Sequence, residues 1–171
     1  MPPAPHPADE MKRLEALRAS GLLDIGRNPD LETIVREAAA LYDTPIAAVT
    51  LLTATHQHFA ASVGLSVPYT TRDEAFCGYA ILQTEPLIVL DAHADARFKD
   101  NPLVLSQPGI RFYVGVPIFD GNHQPFGALC VIDTKQRLGV EQAMLESLQL
   151  LAGQVTSVLA RPRNFPERPF R

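Results

Sequence analysis

Two cysteines, Cys77 and Cys130, are the only residues in this 171-residue chain with strong nucleophilic potential. Sulfur chemistry needs an attacking thiol of lowered pKa and a second thiol to resolve the product. The two lie in separate apolar runs with no CxxC spacing, so the sequence reads them as buried structural thiols. His56 and His58 share one face if that stretch is a strand, but two imidazoles do not close a metal site and no third ligand is evident, so no metal is expected. His93 reads as a polar loop residue. The densest charged and amide cluster is Arg72, Asp73, Asp91, Asp95, Arg97, Asn101 and Arg111. The planar fork of Arg72 or Arg111 suits an anionic ligand. The competing and preferred reading pairs these arginines with Asp73, Asp91 or Asp95 to fasten a long loop. Phe76, Tyr79, Phe98, Phe112 and Tyr113 offer either core packing or the wall of a site for a planar ligand. No Ser-His-Asp arrangement or glycine-rich phosphate loop is visible, and no catalytic residue is assigned.

These groups need a scaffold, and the composition supplies one. Hydrophobic residues make up 46% and charged residues 20%, as in an ordinary globule of one domain. A net charge of −4 argues against a nucleic-acid partner. No apolar run is long enough to span a bilayer, and two unpaired cysteines suit a reducing compartment, so the expectation is a cytoplasmic protein without membrane association. Prolines at 2, 3, 5 and 7 mark residues 1–8 as a tail. Alternating proline and arginine mark 161–171 as a basic one, leaving a domain at 9–160.

Helices are predicted over 9–20, ended by Gly21, and over about 31–41, capped by Asp30 and closed by Pro45. Strands follow at 46–52 and 58–63, then a loop through Pro68, a short helix at 74–82 and a strand at 87–90. The stretch 91–109 reads as a structured loop with at most a helical turn. Strands at 111–119 and 125–133 flank Asp120-Gly121-Asn122-His123, a hairpin signal. In the second of them Phe126, Ala128, Cys130 and Ile132 share one face, and Leu129 and Val131 the other. A helix over 140–160 ends the domain. Hairpins beside terminal helices imply an α+β fold with an antiparallel sheet.

Six stretches resemble the GAF family, ligand-sensing relatives of the PAS fold. They are Arg13-Leu14 with Gly21-Leu22-Leu23-Asp24, Pro45 to Leu51, Thr71 to Cys77, Asp91 to Pro102, Ile110 to Pro117, and Gly127 to Asp133. They lie in order across nearly the whole folded part. The similarity is to sensor domains attached to histidine kinases and diguanylate cyclases. It implies a central antiparallel sheet of five to six strands, helices packed on its back face, and a loop and short-helix cap over a ligand-sized hollow in front. Where the family pattern leads one to expect Arg-Gln-Trp-Phe, this chain has His56-Gln57-His58-Phe59 and no tryptophan. The cyclic-nucleotide and bilin-attachment patterns of some members are absent, so the resemblance names no cofactor.

On this reading the hollow is roofed by the Phe76–Leu82 helix and the 91–109 loop. Its expected ligand contacts are Arg72, Asp73, Phe76, Cys77, Tyr79, Asp91, Arg97, Phe98, Asn101, Arg111 and Tyr113. The expected function is non-enzymatic sensing of an unidentified small molecule. Its output would pass through a homodimer of terminal helices (Leu14 and Leu17 with Leu148, Leu151, Val155 and Leu159) or through a signalling partner protein. No output segment is evident within the 171 residues. The alternatives are a dimerisation module with a collapsed pocket, or a thiol enzyme of the free methionine-(R)-sulfoxide reductase type.

Overall fold

The computed structural model describes residues 3–162. The first helix, α1 (Glu10–Ser20), stops at Gly21, whose φ of 68° is open to glycine without strain. A 3-10 turn at Leu22–Asp24 leads to α2 (Pro29–Tyr42). The cap of α2 is Asn28, not Asp30: its side-chain oxygen accepts from the backbone N–H groups of Asp30 and Leu31. Pro29 then occupies the first helical position, where a missing N–H costs nothing.

The sheet follows. Strands β1 (Ile46–Leu52) and β2 (His56–Val63) form an antiparallel hairpin, and β3 (Tyr69–Thr71) pairs on the outer edge of β2. A short helix α3 (Cys77–Ala80) precedes β4 (Leu87–Val89). One turn of helix, α4 (Pro102–Leu105), lies in the 91–109 stretch. The hairpin β5 (Phe112–Phe119) and β6 (Pro125–Asp133) is followed by α5 (Gln142–Leu159). The six strands run in the order β3-β2-β1-β6-β5-β4, with every adjacent pair antiparallel. The expected five-to-six-stranded α+β sheet therefore has six strands, and the sixth, β3, lies where the sequence suggests only a loop.

β1 is buried at all seven positions because it is central and covered on both sides. Ala47 and Val49 face the back, where α2 and α5 pack with Leu31, Val35, Leu148 and Val155. Ala48 and Leu52 face the front with Phe76, Phe98, Tyr113, Ala128 and Cys130. Gly127 sits where a Cβ would lie 1.8 Å from the Thr50 carbonyl oxygen, so only glycine lets β6 approach β1 there. Phe126 departs from the expected face. The β5–β6 register slips between Ile118 and Phe119, and the Phe126 ring joins Leu17, Leu22 and Leu51 beneath α1.

The stripes assigned to a dimer are largely used internally. Leu148, Ala152, Val155 and Val158 of α5 are buried in the chain's own core, with Leu145, Leu151 and Leu159 partly buried against the same body. Met11 and Leu150 remain exposed. Residues 3–8 lead into α1, and Ala4 lies so near α3 that a Cβ on Gly78 would come within 3.2 Å of its own. Of the basic segment 161–171, residues 163–171 lie outside the described part.

One buried polar cluster fastens α1 to the sheet. Arg13, with no exposed surface, donates from Nε and Nη2 to both oxygens of Glu10 at 2.7 and 2.8 Å. Its Nη1 donates to the Leu52 carbonyl at 2.8 Å and the Pro125 carbonyl at 3.3 Å. Arg72 reaches the same Glu10 carboxylate from the other side and donates to the Thr53 carbonyl at 2.9 Å. Burial alone would raise the Glu10 pKa, but the hydrogen bonds and charges of Arg13 and Arg72 outweigh it and hold the pKa at about 2. A carboxylate with a depressed pKa stabilises the fold above its unfolded pKa and stops doing so as pH falls through the folded value. Glu10→Gln should therefore cost about 3 kcal/mol at neutral pH. In denaturant titrations from pH 6 down towards 2, the gap between wild type and variant should narrow, because only the wild type loses the contribution.

Candidate functional site

The front face of the sheet carries a cavity of about 630 Å3. Its floor comes from alternate residues of four strands: Thr50 of β1, Gln57 and Phe59 of β2, Tyr113 of β5, and Cys130 and Ile132 of β6. The period of two puts Gln57 on the same face as Phe59 and opposite Leu52, a front-core residue. Its roof has two parts, the β2–β3 connection (Gly64 to Val67) and the Leu103–Ile110 segment around α4. The start of α3, with Phe76 and Cys77, closes one end. Ser66, Val67 and Tyr69 are exposed and form the rim.

Three of the eleven residues expected at the site line this cavity: Phe76, Cys77 and Tyr113. The others lie elsewhere, and most of them have structural partners. Arg72 is buried on Glu10 rather than on Asp73, which is an exposed neighbour in the turn. Arg97 pairs with Asp95 through bonds of 3.0 and 2.8 Å. Those bonds, chiefly, lower the Asp95 pKa against a smaller opposing effect of burial. The guanidinium also lies over the rings of Phe98 and Tyr79. Phe98 is fully buried and stacks on Phe76 with ring centres 4.0 Å apart, while the Tyr79 ring meets its edge. Asp91 accepts from the His93 N–H and shapes a turn. Asn101 caps α4 through the Leu103 N–H and donates to the Glu74 carbonyl. Arg111 donates to the carbonyls of Val104 and Ile110. The fastening reading thus describes the geometry of this cluster, though Arg72 and Arg111 use partners other than the aspartates proposed.

His56 and His58 sit within β2 and group with the Tyr69 ring. Among the described residues no cluster of three or more His, Cys, Asp or Glu forms a metal site.

The polar groups of the cavity were mostly not anticipated. Gln57 is 6% exposed, and its Nε2 donates to the Thr70 hydroxyl at 3.1 Å while its Oε1 has no partner. The alternation through His56-Gln57-His58-Phe59 held the clue, since a residue two before a front-facing phenylalanine shares its face. The cysteines are on different elements, as expected, yet they converge. The Cys77 sulfur is 3.0 Å from the Tyr113 hydroxyl, and the Cys130 thiol and the Thr50 hydroxyl are neighbours, the latter donating to the Ala128 carbonyl. Burial opposes the Cys77 thiolate, but hydrogen bonding with its neighbours, chiefly Cys130, prevails and lowers its pKa. The Cys130 thiol is pushed well up by its hydrogen bond to Cys77 and by burial, and burial with the neighbouring thiols raises Tyr113 as well.

The match to known proteins follows the same boundaries. The GAF domain family model covers residues 29–159, from the start of α2 to the end of α5. The chain belongs to the GAF family. A cyclic di-GMP phosphodiesterase of Pseudomonas aeruginosa is 41% identical over 133 residues, which is 78% of this chain but 23% of that protein. The chain thus spans less than a quarter of that relative's length. The GAF domain of an Acinetobacter phosphoenolpyruvate-protein phosphotransferase superposes with a TM-score of 0.61 at 18% identity, covering 88% of this chain and 92% of that one. A type II free methionine-R-sulfoxide reductase from Thermoplasma acidophilum gives 0.61 at 12% identity, with 86% and 94% covered. At such identities these two likenesses show the GAF fold alone. GAF domains serve signalling proteins as sensor modules. Among the described residues no helix is long and apolar enough to cross a membrane.

Within this GAF domain, Gly115 holds the cavity open for the phenol. A Cβ at that position would lie 2.1 Å from the Tyr113 hydroxyl oxygen. Gly115→Ala should therefore cost about 2 kcal/mol by overpacking. The cost should mostly disappear in a Tyr113→Ala background, as measured by denaturant unfolding of the four proteins of the cycle.

Proposed function

We propose that this GAF domain senses a small molecule held in the front cavity, and that the molecule is neutral or cationic. The observation that carries the reading is a ligand-sized hollow with one polar wall group left unsatisfied. A volume near 630 Å3 falls in the usual range for ligand sites. A buried carbonyl oxygen such as Gln57 Oε1 is costly without a donor, by about 1–3 kcal/mol. A ligand N–H or O–H offers that donor. The charge of the lining supports the rest: among the described residues Glu74 is its one ionisable carboxylate, and no lysine, arginine or histidine contributes to the wall. The anionic ligand considered for Arg72 or Arg111 has little support, because those guanidiniums are engaged outside the cavity wall.

The collapsed dimerisation module fits the cavity volume poorly. A homodimer through the terminal helices gains no support from their apolar stripes, which cover the chain's own sheet. A route from the cavity to α1 is nevertheless available without a dimer. Thr71 and Glu74 line the cavity, and between them Arg72 grips Glu10 at the start of α1. A ligand that favours one arrangement of this turn would shift the population of α1 positions, and a partner protein contacting α1 would read the shift.

Gln57→Leu tests the reading because its two effects run in opposite directions. Removing the orphaned acceptor should leave the ligand-free protein as stable as wild type or slightly more so in thermal melting. It should also weaken retention of the co-purifying compound at least tenfold in native mass spectrometry of protein from its own host. If wild type retains no compound and no neutral or cationic small molecule raises its melting temperature, the sensing reading fails.

A further inference from the structure

We propose that Cys77 and Cys130 form a peroxide-responsive dithiol in the cavity wall, with Cys77 attacking and Cys130 resolving. The proposal is independent of what else the cavity binds. Both thiols are nearly fully buried, at 2% and 1% exposure, and both border the front cavity. A small hydroperoxide is admitted by a space of this size. The groups around the sulfurs are unusual for inert core cysteines. The Cys77 sulfur has the Tyr113 hydroxyl at 3.0 Å and the Cys130 thiol beside it. A hydroxyl that donates to one sulfur favours its thiolate, which is the nucleophilic form. Among the described residues no hydroxyl is paired with Cys130; Cys77 is its side-chain neighbour, and its β6 position is fixed by pairing with β1 and β5. The asymmetry assigns the two roles.

The chemistry balances with a hydroperoxide as the named oxidant. The Cys77 sulfur attacks the terminal oxygen, an S–O bond forms, the O–O bond breaks, and the departing alkoxide or hydroxide takes up the thiol proton. Cys77 is then a sulfenic acid. The Cys130 sulfur attacks Cys77, the S–O bond breaks, and the hydroxide leaves with the Cys130 proton as water. Two thiols and one hydroperoxide give one disulfide, one alcohol (or water, from hydrogen peroxide) and one water. The new bond would join α3 to β6 across the cavity wall.

The test treats the folded, reduced 171-residue protein with hydrogen peroxide, then quenches, denatures and maps it by mass spectrometry. The expected result is loss of two hydrogen atoms (about 2 Da, the two S–H hydrogens), with a Cys77–Cys130 peptide link within one chain. Cys130→Ser should stop at a sulfenic acid on Cys77 that dimedone traps. Cys77→Ser should leave Cys130 at least tenfold slower to oxidise. Tyr113→Phe keeps the ring and removes the donor, so it should slow wild-type disulfide formation severalfold without changing the product. Both thiols remaining free, disulfides linking separate chains, or equal reactivity of the two cysteines would overturn the proposal. So would consumption of free methionine sulfoxide by a protein inert to peroxide, which would point to reductase chemistry instead. Because wild type alone yields the decisive mass map, failure of a variant to fold does not remove the test.

Discussion

One carboxylate holds the cavity end of this fold together. Glu10 lies between Arg13 and Arg72, and through them it ties the start of α1 to the ends of β1 and the β1–β2 turn, to the first residue of β6, and to the turn before α3. Two buried guanidiniums without a counter-charge would be far costlier than the pair with one. The arrangement thus fixes α1 in register with the sheet. It also fixes the Thr71–Glu74 turn, two residues of which belong to the cavity wall. The path from binding surface to terminal helix is short because a single charge cluster connects them.

The same economy explains the chemistry of the cavity. The charged side chains between Asp91 and Arg111 satisfy the backbone of a long connection with little regular structure. Arg111 serves two carbonyls, Asn101 caps one helical turn and holds the Glu74 carbonyl, and Arg97 closes on Asp95. A connection of that length needs such partners to remain over the sheet. The hollow beneath is left with hydroxyls, two amides, two thiols, one carboxylate and apolar walls. Recognition in such a place rests on shape and a few directional hydrogen bonds rather than on charge.

The elements with strong periodicity were legible. The seven-residue apolar run of β1, the Asp120-Gly121 hairpin and the long stripe of α5 all lie where alternation or helical spacing puts them. β3 was not, because three residues at a sheet edge, one of them a half-exposed tyrosine, carry no pattern. Alternation puts Phe126 on one face with Ala128 and Cys130, and a bulge turns it towards α1. The site was legible only in part. A concentration of arginine and aspartate looks like a binding cluster in one dimension, yet the same residues are what a loop requires. Thr50 and the meeting of Cys77 with Cys130 depend on strand pairing, which brings residue 48 beside 130. Spacing along the chain does not contain that information.

The most direct measurement is a crystal structure of protein purified from its own host with no compound added. The account requires continuous density between the β2–β3 connection and the floor of the sheet, with a donor atom within hydrogen-bonding distance of the Gln57 side-chain amide. A closed interior in which Phe59 and Leu103 meet and the Gln57 amide turns out to water would contradict it.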